Sequence, residues 1–211
     1  EKRTHAVSIL LVERQGQHVG VFFDQHPDSF DSYNAVLAAT EYSLVTTKAA
    51  RNVIKRRAKF LSLPLSTNNG QSMLTFDFLK MDVKKSKLTA KVIMKYLKSS
   101  SRIQIKTDAG TDLTLMKRGR MPGFFNGVTA DGGGFSSASI EVYIPVEECG
   151  TNGTMVIDGS LGYIGAARED TRVVFKEGRI VEIEETPTGK RLKEYMEGYH
   201  DSGIYVAGEL G

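Results

Sequence analysis

The chain has 211 residues, of which 40% are hydrophobic and 25% charged, and a formal net charge of +3. These proportions suit a soluble globular protein of one large or two small domains, and so small a charge gives no reason to expect nucleic acid as a partner. The single cysteine, Cys149, excludes an intrachain disulfide and fits a reducing, cytoplasmic setting.

The first apolar run, Ala6 to Val12, is broken by Ser8. It is far too short to span a bilayer, and no signal-peptide pattern precedes it, so no membrane association is expected. Ser8 to Val12 and Val19 to Phe23 read as short buried strands. Asp28-Ser29 offers a helix cap, followed by the stripe Tyr33, Val36 and Leu37. Tyr42 to Val45 reads as another strand. Thr46 or Thr47 then caps a helix running to Lys59, with Ala49, Ala50, Val53, Ile54 and Ala58 on one side. Phe60 to Leu65 is a strand ending in a Ser-Thr-Asn-Asn-Gly loop. Ser86 to Lys98 is an amphipathic helix with Leu88, Val92, Ile93, Tyr96 and Leu97 opposite lysines. The lysine runs of both helices read as solvated faces. Strand and helix in alternation predict a parallel sheet with helical crossovers.

After Ser101 the period changes to two. Arg102 to Lys106 and Asp112 to Leu115 flank a turn at Asp108-Ala109-Gly110 and predict a hairpin. Strands are expected at Ile140 to Ile144, Thr154 to Asp158, Arg172 to Lys176 and Arg179 to Glu184. A helix is expected from Gly189 to Gly198, and an apolar strand from Tyr205 to Gly211. The expected fold is therefore α/β: a Rossmann-like N-terminal domain with a parallel sheet over residues 1–99, then a β-rich α+β domain over residues 100–211.

Most chemistry-bearing residues are scattered. Asp131-Gly132-Gly133-Gly134 follows no good strand and opens no helix, so it meets neither phosphate-loop pattern and implies no nucleotide cofactor. His5, His18, His26 and His200 show no ligand spacing, and acids beside Cys149 disfavour a thiolate. Two carboxylates remain. Glu141 lies in the strand Ser139 to Ile144, on a face with Ser139 and Tyr143, and that face could equally be simply solvated. Glu209 interrupts the apolar tail between Gly208 and Gly211. An acid in an apolar strand is costly unless paired, hydrogen-bonded or bound to a cation. Carboxylates projected from a rigid sheet suit hard or borderline divalent ions.

Several segments resemble the leucyl aminopeptidase T family of thermophilic metalloaminopeptidases. Ser139-Ile140-Glu141-Val142-Tyr143-Ile144-Pro145-Val146-Glu147 is similar to its P-A-G-E-V-x-x-A-P-x-E segment, with Ser-Ile where the family favours Ala-Gly. Asn152-Gly153-Thr154-Met155-Val156-Ile157-Asp158-Gly159-Ser160 resembles its N-G-x-x-V-x-D-G-S, and Ala207-Gly208-Glu209-Leu210-Gly211 the start of its E-L-G-I-G-x-N. The resemblance covers roughly residues 40–211. It implies a metal-dependent aminopeptidase-like hydrolase acting on a peptide or small amide, with Glu141 and Glu209 as metal ligands to zinc, cobalt or magnesium. Two ions would hold the free amine and polarise the scissile carbonyl. The catalytic base is unassigned. The family's histidine, tyrosine and aspartate ligands follow the last motif, so the chain is expected to be C-terminally incomplete and inactive as it stands. The alternatives are a non-catalytic binding or assembly protein on the same fold and, since the superfamily includes one, an iron-dependent ring-cleaving dioxygenase. A homodimer is left open.

Overall fold

The computed structural model describes residues 6–13, 15, 19–63, 77–125, 127–129, 135–137 and 141–211. Its first element is a helix, not the expected strand: α1 spans Val19–Gln25. Val19 and Phe23 are the buried positions, four apart, so this apolar run uses helical spacing; a short apolar run does not by itself distinguish the two. Phe23 stacks on Phe30, with ring centroids 5.1 Å apart, and Phe30 meets Phe60 at 5.9 Å. Ser8 to Val12 pairs with no strand among the described residues, and Val7, Ile9 and Leu11 are exposed.

The helix expected after Asp28-Ser29 is instead a turn leading into strand β1, Ala35–Ala38. Long-range pairing overrides the local stripe, because β1 lies parallel to β2, Lys59–Ser62, and the Lys59 amide donates to the Asn34 carbonyl at 3.0 Å. Tyr42 to Val45 is a bend rather than a strand. Its Leu44 is buried and its amide reaches the Ser62 hydroxyl at 3.4 Å. Helix α2, Lys48–Lys55, begins as expected at Thr47, whose hydroxyl oxygen accepts from the Ala50 amide. It stops short of Lys59 because the chain turns at Arg57, which adopts φ 61°. Ala49, Ala50 and Val53 are fully buried and close the first core with Phe23, Phe30 and Phe60.

Helix α3, Val83–Ser99, is capped by Asp82, whose carboxylate accepts from the amides of Lys84 and Lys85. Strands β3 (Arg102–Lys106) and β4 (Asp112–Met116) form the expected hairpin. Next come β5 (Gly123–Phe125), β6 (Phe135–Ser137), β7 (Glu141–Pro145), β8 (Asn152–Ile157), β9 (Thr171–Lys176) and β10 (Arg179–Ile183). Helix α4, Pro187–Glu197, has Thr186 as its cap, and β11 is Glu209–Leu210. The tail is thus a shorter strand than expected, because Ser202–Tyr205 forms a 3-10 turn capped by Asp201.

Three sheets result. The parallel sheet runs β1-β2-β6, and its third strand comes from beyond the hairpin. An antiparallel sheet runs β10-β9-β8-β4-β3, and a second antiparallel sheet runs β11-β7-β5. The five-stranded sheet packs on α4 around a second core that includes Leu113, Leu115, Val173, Phe175 and Met196. The fold is mixed α/β, with four α-helices among the described residues. No helix among those residues is long and apolar enough to cross a membrane.

Candidate metal centre

The three-stranded sheet places both sequence-predicted carboxylates on one face, with Glu209 opposite Pro145, four positions along β7 from Glu141. In β7, Glu141 pairs with Phe125 and Tyr143 with Gly123; on the other side Pro145 pairs with Glu209 and Ile144 with Leu210. Side chains alternate along a strand and directly paired residues share a face. Glu141, Tyr143, Pro145 and Glu209 therefore occupy one face, and Phe124, Val142, Ile144 and Leu210 the other. The alternation read from the sequence is correct over residues 141–144; Ser139 and Ile140 lie outside the described residues.

Backbone bonds hold β11 in that register. The Val146 amide donates to the Gly208 carbonyl at 2.9 Å, and the Ala207 amide to the Gly178 carbonyl at 2.9 Å. Gly178 ends the Glu177-Gly178 turn between β9 and β10 with φ 79°, and a Cβ there would run into the Glu148 carbonyl. This turn therefore anchors the strand that carries Glu209.

The Glu141 charge also reaches Glu209. The Glu209 carboxyl is raised above the ordinary carboxylate range, first by partial loss of water and then by the Glu141 charge. Glu209 stays on the exposed side of the sheet, so its desolvation is that of a flanked surface group and not of a core residue. Gly211 approaches Glu141 so closely that a Cβ on it would collide with Oε1 of that carboxylate.

Tyr143 is the member of this face that sequence reasoning missed as a site residue, although its alternation with Glu141 was visible. Its ring stacks on Phe125 at 4.7 Å and lies over Gly123, where a Cβ would overlap it. Burial raises the Tyr143 phenol, and the charges of Glu209 and Glu141 add to the effect. The phenol therefore stays protonated beside two carboxylates.

The remaining candidates do not join the site. His26 packs on Phe22 and contacts that residue's carbonyl through Nδ1 at 3.0 Å, and His200 is exposed at the end of α4. Cys149 is exposed, and its neighbour Glu148 is tied to Arg120 at 2.7 Å. His5, His18 and Asp131 to Gly134 lie outside the described residues. Among the described residues no group of three or more His, Cys, Asp or Glu side chains could hold a metal ion. The donor set here is two carboxylates: it fits two oxygen ligands of a hard divalent ion and falls short of the three or four protein ligands of a zinc site.

No protein-family model matches the chain, and no curated protein matches it in sequence. Solved structures do match in fold. The chain is similar to 2,5-dihydroxypyridine dioxygenase from Pseudomonas putida, with a TM-score of 0.72 at 15% identity over 91% of this chain and 53% of that one. It is also similar to AmpT from Thermus thermophilus, with a TM-score of 0.60 at 12% identity over 90% of this chain and 58% of that one. At these identities the likeness is one of fold alone. The chain spans little more than half the length of either structure.

Proposed function

We propose that Glu141 and Glu209 are two ligands of a divalent-metal centre, and that the protein is a metal-dependent, aminopeptidase-like hydrolase of peptide or small amide bonds. The observation that carries this reading is the convergence of two carboxylates from neighbouring strands onto one sheet face, close enough for one to raise the other's pKa. Two like charges brought together without a basic partner are destabilising, and a cation between them reverses the sign. The sheet holds both carboxylates from β-strands that are themselves hydrogen-bonded in register, which orients them before any ligand arrives. Tyr143 stacks on Phe125 on the same face, on the β5 side of Glu141. A divalent ion bound there supplies Lewis-acid polarisation of a carbonyl. The proposal draws its further donors from beyond the described residues. It includes zinc, cobalt or magnesium as the ion and the earlier division into a Rossmann-like unit at residues 1–99 and a β-rich unit at residues 100–211.

A second reading, an iron-dependent ring-cleaving dioxygenase, is favoured by one observation: the higher TM-score is with the dioxygenase. Titration of the protein with Co²⁺, followed by calorimetry, tests the shared premise. Weak saturable binding that is lost in both Glu141→Gln and Glu209→Gln is expected. Binding that survives both substitutions would place the metal elsewhere. Leucine-amide hydrolysis with Co²⁺, against oxygen consumption with Fe²⁺ and a dihydroxypyridine, then separates the two readings.

A further inference from the structure

The opposite face of the same sheet does not pack tightly against α3. Between them lies a groove of about 610 Å³, within the size range of small-molecule sites. Met81, Ala90 and Ile93 line it from the helix side, and Val142, Ile144 and Leu210 from the sheet. Three further residues on its wall are polar: Lys85, Ser86 and Thr89, the last of them exposed. Ser86 is 5% exposed, and its hydroxyl has no hydrogen-bond partner among the described residues. A buried hydroxyl left unsatisfied is destabilising, so this position is costly when nothing fills the groove. Lys85, the neighbouring residue, also lines the groove and is exposed, which puts a cation at its mouth. Asp82 is committed to capping α3, and no acidic residue lines the groove among the described residues, although the Glu141 carboxylate lies beside the lining residue Gly211.

We propose that this groove binds a small amphiphilic anion, an alkyl carboxylate of medium chain length. The chain would lie between α3 and the sheet. Its head would accept a hydrogen bond from the Ser86 hydroxyl and pair with Lys85. An apolar slot with a single orphan donor and one cation at its mouth selects that chemistry over a neutral hydrocarbon, which would leave the hydroxyl unpaired, and over a dication, which Lys85 repels. The carboxylate pair lies on the other face of β7, although Gly211 lines the groove and also approaches Glu141.

Dodecanoate is the probe, measured by calorimetry and by displacement of an anilinonaphthalene sulfonate dye. One saturable site is expected. Ser86→Ala should weaken binding about three- to tenfold, by loss of one hydrogen bond to a charged acceptor. The same variant without ligand should melt at the wild-type temperature or above, because the orphan hydroxyl is gone. Lys85→Gln should weaken dodecanoate and leave dodecanol unchanged, and Ala90→Phe should block both by filling the slot. The proposal is overturned if no saturable binding occurs below the self-association concentration of dodecanoate, or if Ser86→Ala and Lys85→Gln bind as wild type. It is also overturned if sedimentation shows a self-associated species that dodecanoate does not disperse and Ala90→Phe abolishes, since a second copy then fills the groove.

Discussion

The two faces of the β11-β7-β5 sheet come from the same strands and are held by opposite means. One face carries Val142, Ile144, Phe124 and Leu210, and Ile144 is fully buried. The other carries Glu141, Tyr143 and Glu209, with two acids where packing alone would place neutral groups. Burial on the first face and backbone pairing to β5 and β11 fix the strand. That fixed backbone then keeps both acids on one face, where the Glu141 charge helps to raise the Glu209 carboxyl. Strained or repulsive groups persist where surrounding structure over-determines them, and such positions are candidates for function.

The contrast breaks first at Ile144. Truncation to Ala should cost about 2–4 kcal/mol in urea denaturation, as for other large-to-small core changes. A loss well below that range would show that the apolar face does not hold β7. Gly123→Ala should cost roughly 1–3 kcal/mol, because the new Cβ overlaps the Tyr143 ring. Most of that cost should disappear in a Tyr143→Ala background, a coupling expected of residues in contact. Additive losses would mean that Gly123 is required for its backbone alone.

Glu209→Gln should act in the other direction and more weakly. The folded-state carboxyl of Glu209 lies above its unfolded value. The folded protein therefore binds this proton more tightly, and the associated stability is present below the ordinary carboxylate range and lost as pH rises through the raised value. Removing the charge should stabilise the protein at neutral pH by less than about 1 kcal/mol, since water screens an exposed group, and should flatten that slope. Arg120→Ala marks the smallest effect. The Arg120 hydrogen bond lowers the Glu148 carboxyl, so the stability it contributes is present at neutral pH and lost as pH falls, a slope of opposite sign.

The carboxylate pair was legible because period-two alternation in β7 and a lone acid in an apolar tail are local signals. What covers an apolar face was not legible. Helices α2 and α3 both read as amphipathic, yet Val53 of α2 is 0% exposed, whereas Leu88 and Tyr96 of α3 are 64% and 70% exposed. The buried positions of α3 are Ser86 and Ala90 instead. Amphipathic spacing shows that a helix has two faces, and tertiary packing decides which of them is covered. Strands β5 and β6 were missed for another reason: three residues are too few to show a period, and only the Phe124-Phe125 doublet and Phe135 hinted at them. The N-terminal apolar runs misled in type, since α1 was read as a strand and β1 as a helix. There the decisive terms were contacts distant in sequence, Phe30 with Phe60 and β1 with β2.

The central claim, that Glu141 and Glu209 form a coupled pair awaiting a cation, is tested most directly by a double-mutant cycle in stability. Glu141→Gln, Glu209→Gln and the double variant are compared by urea denaturation at neutral pH and again at a pH that protonates carboxylates. The account predicts that each single change stabilises the protein at neutral pH and that the double gains less than the sum, because removing either charge already relieves the repulsion. It also predicts that these gains vanish at acid pH. Two single changes without effect, or with strictly additive effects at both pH values, would contradict it.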